Sequence, residues 1–507
     1  MDDQTHKRHC WECRRRCLVC DFTEPSCRRC SSSGIPCPGY GDVRPPRLKW
    51  LAPGRVVSRK PRPKNTRAAG NVLPTWTRRM PAINTRTIDW DMPSLDTEET
   101  AGRNLFHAAE YYNSCIFRDL APALDLGRNP QIHDASPAQV QEALTIPDFI
   151  RLGLLCMTLS HRINQLGTRD IPQSKVLAER YYLCRGKALR SLSKQFDADH
   201  NCTSDFVIGG VLTLLLLDIQ SGAPPHWLHH LQGVRKLIDL RGGFRKLAKT
   251  QSLAPLLHCL WFVGIITNTT CPKSHLDTSA ISHLEALDFM REQYGSAMTP
   301  SQVWPPQLLA EVIKITHLRL QVTRKRTGNL ERISAEANEI LDRIQLFSPE
   351  QLSESKASSR EDWICIGNVY KSAVALYCVL SLQSASVLPE TPTLRASCAS
   401  HGQHLQHLLS TSLSSPRTRM FMFWPLILLG VEAVHGDVTT RDFVSKHLLE
   451  LSRVVGTSVP LTAQRVLASF WASGGQSWDA CFDRPYPFTT QIAVDVGRVY
   501  APRQRDL

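Results

Sequence analysis

The sequence predicts a small cysteine-stapled head, a disordered, basic, proline-rich linker and a large all-α body. Three observations predict this. Six cysteines repeat one grid, C-x2-C-x6-C, first at Cys10, Cys13 and Cys20 and again at Cys27, Cys30 and Cys37. Residues 41–88 hold 12 Lys or Arg and one acid among scattered prolines. From about residue 100 onward, apolar side chains recur at helical spacing and strand signals are sparse. The expected boundaries are a head over 1–40, an arm over 41–99, a helical domain over 100–490 and a tail over 491–507.

The head comes first. A C-x2-C pair can pinch one tetrahedral Zn²⁺, and structural zinc sites are closed by four thiolate or imidazole ligands. Two ions need eight ligand positions, and six sulfurs provide eight only if two of them bridge both metals. The duplicated grid therefore reads as a cluster of two Zn²⁺ per chain. Residues 1–40 offer Trp11, Leu18, Val19, Phe22, Ile35 and Tyr40 as sizeable apolar side chains, too few for a core. Structural zinc supplies roughly 10–16 kcal/mol in small finger peptides, so the head is expected to be unfolded without metal. Rival readings fit less well. A disulfide framework needs an oxidising compartment, and Met1 to Lys7 contains no apolar stretch of the kind a secretory signal has. A RING or LIM site has longer gaps and usually a histidine ligand, whereas His6 and His9 precede the grid.

The grid, with Arg14-Arg15-Arg16 after the second cysteine, Asp21 after the third and Pro25 before the fourth, resembles the fungal Zn2Cys6 binuclear-cluster transcription factors. The resemblance implies that Cys10 and Cys27 bridge, that Cys13 and Cys20 complete one zinc shell, and that Cys30 and Cys37 complete the other. It also implies that the helix carrying Arg14, Arg15 and Arg16 lies in the DNA major groove and reads short GC-rich sites. Family members commonly carry lysines where this chain has Cys17 and Val19. A thiol cannot act as a charged donor to guanine as lysine does, so direct readout falls on the arginines. Cys17 itself has two readings, a free thiol beside the cluster or a seventh, alternative sulfur ligand.

Charge locates the grip on nucleic acid. Residues 1–88 carry 19 Lys or Arg and 6 Asp or Glu, while the whole chain nets +14. Almost all of the excess therefore lies in this region. Within 1–40, 7 basic residues face 5 acidic ones, and two Zn²⁺ with six thiolates bring the folded head close to neutral. The arm holds Arg44, Arg47, Lys49, Arg59, Lys60, Arg62 and Lys64, with no acid from Val43 to Ile88. Phosphate contacts supply sequence-independent affinity and base contacts specify, so the head is read as the reader and the arm as the grip. The run Arg59 to Lys64 also suits a nuclear-import signal. No heptad repeat follows the cluster, so a homodimer, if one forms, is expected to run through the helical domain.

The body is then justified helix by helix. Helical patterns cover Asn104 to Leu120, Ile146 to Gly167, Ser174 to Phe196, Asp205 to Gln220 and Trp227 to Leu240, the last ending at Gly242-Gly243. Further patterns cover 306–321, 329–347, 361–382, 391–413, 439–454 and 461–473. Solenoid-like stacking is one arrangement open to such a series. The run Trp227-Leu228-His229-His230-Leu231-Gln232-Gly233, continuing to Arg241-Gly242-Gly243, resembles the fungal-specific transcription factor regulatory domain over roughly 100–490, and Trp227 and His230 read as core residues there.

Thr250 to Pro272, the longest uncharged run, is interrupted by Pro255, His258, Thr267 and Asn268, and Phe206 to Leu217 is too short to span a bilayer, so no membrane partner is expected. Ten cysteines after residue 100 have no close pairing and read as buried thiols. His401, His404 and His407 lack a supporting acid or cysteine and read as a polar helix stripe. No phosphate loop or nucleophile elbow is visible, so no enzyme activity is expected. The reading is a nuclear, sequence-specific DNA-binding regulator of RNA polymerase II transcription, with double-stranded DNA and the transcription machinery as partners. The alternative is a non-enzymatic nuclear interaction protein whose DNA binding is weak or charge-only.

Overall fold

The computed structural model describes residues 10, 12–13, 20–37, 39, 98–127, 133–167, 171–197, 203–222, 226–250, 253–276, 279–294, 303–324, 330–354, 356 and 359–490. It divides into two compact units, Met1–Asn84 and Thr85–Leu507. In the first unit the described secondary structure is local to the cysteines, with helical residues at Glu12 and Cys13 and a short helix at Arg28–Ser32. The second unit is all-helical among the described residues.

The longer α-helices described in the second unit are α1 (Glu98–Tyr111), α2 (Pro137–Ala143), α3 (Asp148–Leu166), α4 (Ile171–Asp197), α5 (Asp205–Gln220) and α6 (His226–Leu240). They continue as α7 (Ala254–Thr269), α8 (Ser279–Tyr294), α9 (Pro306–Arg324), α10 (Leu330–Leu346) and α11 (Arg360–Ser384). The last are α12 (Pro392–Ser412), α13 (Phe423–Glu432), α14 (Val438–Val455) and α15 (Val459–Ser473). Beyond α1, the chain stays helical through a π-turn at Tyr112–Phe117 and a 3₁₀ turn ending at Leu126.

Local chemistry sets the helix ends. Ser136 and Gln139 form a reciprocal capping box ahead of Pro137 at the first turn of α2. Ser204, Thr391 and Asp437 each accept a backbone N–H three residues on, starting α5, α12 and α14. Gly456 closes α14 in the left-handed conformation.

At the centre lies α11, packed by α9, α10, α12 and α13. By length and composition it is apolar enough to cross a membrane, but 78% of its apolar stretch is buried inside the body. A helix covered on all sides by other helices needs no polar face, which accounts for its hydropathy. Its Tyr370 and Tyr377 meet Trp304 and Trp424 in an aromatic cluster, with Trp304 centred 4.4 Å from Tyr370 and 4.8 Å from Trp424.

A solenoid stacks each repeat on its chain neighbours. This body also packs across sequence. Helix α14 returns to α3, Ser458 N–H donates to the Gln220 carbonyl at 3.1 Å, and Trp363 Nε1 donates to the Leu126 carbonyl at 3.1 Å. The solenoid arrangement therefore does not describe it. The absence of a Cβ at Gly210 admits the Phe149 ring, so that α5 lies close against α3.

Two buried charged groups join helices. Arg319 of α9, fully buried, donates to the carbonyls of Asn268 (3.2 Å) and Cys271 (2.8 Å) at the end of α7 and stands 3.6 Å from Asp479. A cation at those helix-end carbonyls completes the helix terminus and offsets part of its own desolvation. Asp218 is the one charged residue between Phe206 and Gln220 in otherwise apolar α5. It accepts from Arg185 Nη2 of α4 at 2.8 Å, and His230 Nε2 of α6 lies 3.3 Å away. Trp227 is buried beside it, and His230 is half-buried. Both residues of the Trp-His segment thus serve helix packing.

Candidate metal centre

Each C-x2-C pair folds as the start of a helical turn. In the second pair Cys27 is the N-cap of Arg28–Ser32, and Cys30 N–H donates to Cys27 Sγ at 3.3 Å. In the first pair Cys13 N–H donates to Cys10 Sγ, also at 3.3 Å. The duplicated spacing is thus a duplicated turn, in which a residue three positions on lies on the same helix face and turns its sulfur toward the first. Between the halves the chain reverses through Asp21, whose carboxylate accepts Thr23 N–H at 3.4 Å, and through Pro25 after a cis peptide bond.

The six sulfurs converge. Cys10, Cys13, Cys20 and Cys27 form one set, and Cys10, Cys27, Cys30 and Cys37 form another, with all sulfurs of a set within 4.8 Å of one another. Cys10 and Cys27 belong to both. Measured gaps are 3.6 Å for Cys10 to Cys27, 3.8 Å for Cys10 to Cys30 and 3.6 Å for Cys13 to Cys27. Four thiolates around one zinc at about 2.3 Å are separated by roughly 3.8 Å, so the donor set fits tetrahedral metal. Five of the cysteines are buried, Cys37 is half-buried, and the apolar packing around them is limited to Phe22 and Cys37 among the described residues. Burial pushes the Cys30 thiol up to about 12 and raises Cys10 as well. Ionised sulfurs at this density call for a cation between them. The cysteine groups could hold metal ions, and no other set of three or more metal-ligating side chains converges among the described residues. His401 instead lies with its Nε2 3.2 Å from Gln345 Nε2.

The predicted DNA-contacting residues Arg14, Arg15, Arg16, Arg44, Arg47, Lys49, Arg59, Lys60, Arg62 and Lys64 lie outside the described residues, as do Cys17 and Val19. Arg28 and Arg29, which the sequence reading did not single out, are exposed on the helix of the second pair. Their signal was their position inside the second C-x2-C pair.

Residues 108–484 match the fungal-specific transcription factor domain. A relative from Leptosphaeria maculans, named phomenoic acid biosynthesis cluster-specific transcriptional regulator, is 56% identical over 502 residues, which is 99% of this chain and 93% of the relative. Arginine metabolism regulation protein II of Saccharomyces cerevisiae is 46% identical over 44 residues, 9% of this chain and 4% of that protein. No solved structure matches the chain. With a helical body that matches over most of its length and a near-full-length relative that regulates transcription, the chain belongs to the fungal-specific transcription factor family.

Proposed function

We propose that this protein is a zinc-dependent, sequence-specific regulator of RNA polymerase II transcription that acts in the nucleus on a biosynthetic gene cluster. The observation that carries the reading is the pair of four-sulfur sets sharing Cys10 and Cys27. Six cysteines arranged this way suit two Zn²⁺, with Cys10 and Cys27 as bridges. Zinc in turn fixes the helical turn at the first C-x2-C pair, and with it the entry of Arg14, Arg15 and Arg16 into the major groove. Arg44, Arg47, Lys49, Arg59, Lys60, Arg62 and Lys64 then neutralise phosphates on either side of the bases read. Assignment to a biosynthetic cluster is supported by the name of the Leptosphaeria maculans relative. The domain limits proposed are 1–40 for the head, 41–99 for the arm and 100–490 for the regulatory body.

Cys17 and Val19, where the family commonly has lysines, favour the second reading, charge-only binding by a nuclear interaction protein. Binding-site selection with the full-length, zinc-loaded chain separates the two. Enrichment of one short motif that disappears on chelation supports the first reading. Enrichment of no motif, with binding that weakens evenly as salt rises, replaces it with the second.

A further inference from the structure

We propose that the helical body holds a binding site for a small organic acid with an apolar chain. The site is a cavity of about 620 Å³ between the end of α5, the start of α6, the length of α15 and the segment 479–488. That volume lies inside the range of about 300–1,000 Å³ in which proteins hold small molecules. It is independent of the cysteine cluster, which belongs to the other unit.

Its walls suit an apolar chain. Trp227, Phe470, Phe482, Tyr486 and Phe488 line it, and all are buried against the body rather than loose at its surface. Tyr486 and Phe488 stack with centroids 4.9 Å apart, a flat surface for aliphatic carbon.

The charges suit an acid. Three carboxylates line the cavity, and each is already engaged. Asp218 accepts from Arg185, Asp479 accepts Lys273 N–H at 3.0 Å, and Asp483 accepts the Tyr486 hydroxyl at 2.5 Å. The two lining arginines are not matched in this way. Arg465 leans on its own helix, bonding the Leu461 carbonyl and the Thr462 hydroxyl, and Arg484 lies 5.3 Å from the Tyr486 ring centroid. Neither makes an ion pair with a carboxylate among the described residues. A guanidinium already held by neighbouring groups loses little freedom on taking a carboxylate.

A carboxylate toward Arg465 and Arg484 and carbon along the aromatic wall use each feature once.

The test is calorimetric titration of the full-length chain with decanoate and decanol. Decanoate is expected to bind about tenfold or more tightly than decanol. The double variant Arg465→Gln, Arg484→Gln should bring decanoate down to the level of decanol while leaving decanol unchanged. Both side chains are exposed, so the variant should fold, and an unchanged circular dichroism spectrum checks this. Ser469→Trp, which fills the cavity from its exposed rim, should abolish both. Equal affinity for acid and alcohol, undiminished acid binding by the double variant, or no heat with any probe would overturn the proposal. None of these outcomes touches zinc content or DNA binding, so they leave the proposed function where it stands.

Discussion

The sulfurs of Cys10 and Cys27 lie 3.6 Å apart, and these two residues alone belong to both four-sulfur sets. Each opens a C-x2-C turn, and each accepts the N–H of the cysteine three residues on. The internal duplication of the sequence is therefore a duplication of geometry about this pair.

Shared and unshared sulfurs should behave differently. Cys10→Ser or Cys27→Ser removes a sulfur from both sets and is expected to reduce bound zinc from the two ions proposed per chain to about none. Cys20→Ser and Cys37→Ser each touch one set and should leave about one ion. Native mass spectrometry counts them. Equal losses from all four variants would remove the bridging assignment. Cys17→Ser should leave two ions, as a free thiol requires.

Removing residues 45–67 deletes eight Lys or Arg from the arm. Affinity for DNA should fall, and the slope of log K against log salt should flatten by about 0.9 for every phosphate no longer neutralised, with site preference retained. Fluorescence anisotropy across a salt series measures it. A truncated protein with the full slope would place the grip elsewhere.

Gly456 tests the packing of the body. It ends α14 at φ +67°, and a Cβ there would strike the His161 ring of α3. Gly456→Ala adds left-handed strain to overpacking and is expected to destabilise by about 2–4 kcal/mol. Chemical denaturation reads the change. A neutral result would mean that α3 and α14 meet more loosely than the packing described.

Stability should also fall on acidification. Burial lowers His161 and His258 from the ordinary 6.5 to about 4, with Arg162 adding to the effect at His161. As pH drops below 6.5 the unfolded chain takes up these protons first, so the stabilising contribution is complete above 6.5 and is lost progressively down to about 4. Each histidine accounts for something on the order of 3 kcal/mol across that window. Denaturation midpoints from neutral pH to pH about 4.5 should trace the loss, and His258→Leu should flatten it.

The helices legible in the sequence were those with one wet face or a clear cap. Asp205–Gln220 was placed to the residue because Ser204 caps it and a polar turn ends it. Helices α7 and α13 were missed as helices because they are apolar all round, and a segment surrounded by protein shows no periodic stripe. The amphipathic signal of α8 is weak too, and it went unread. All six converging cysteines are legible in the sequence because their spacing is a property of local chain geometry. Arg319 was not, since its partners, Asn268, Cys271 and Asp479, lie 48 or more residues away along the chain.

The sequence alone determined the cysteine grid, the concentration of positive charge before residue 88 and the helical character of the body. Each is written in residues near one another along the chain. Only the tertiary structure decided that α14 returns to α3, that Asp218 draws Arg185 and His230 together, and that two arginines and an aromatic wall share one cavity. Those pairings depend on how separate helices cover one another's apolar faces, and that choice is settled by packing across the whole body rather than by any one stretch of it.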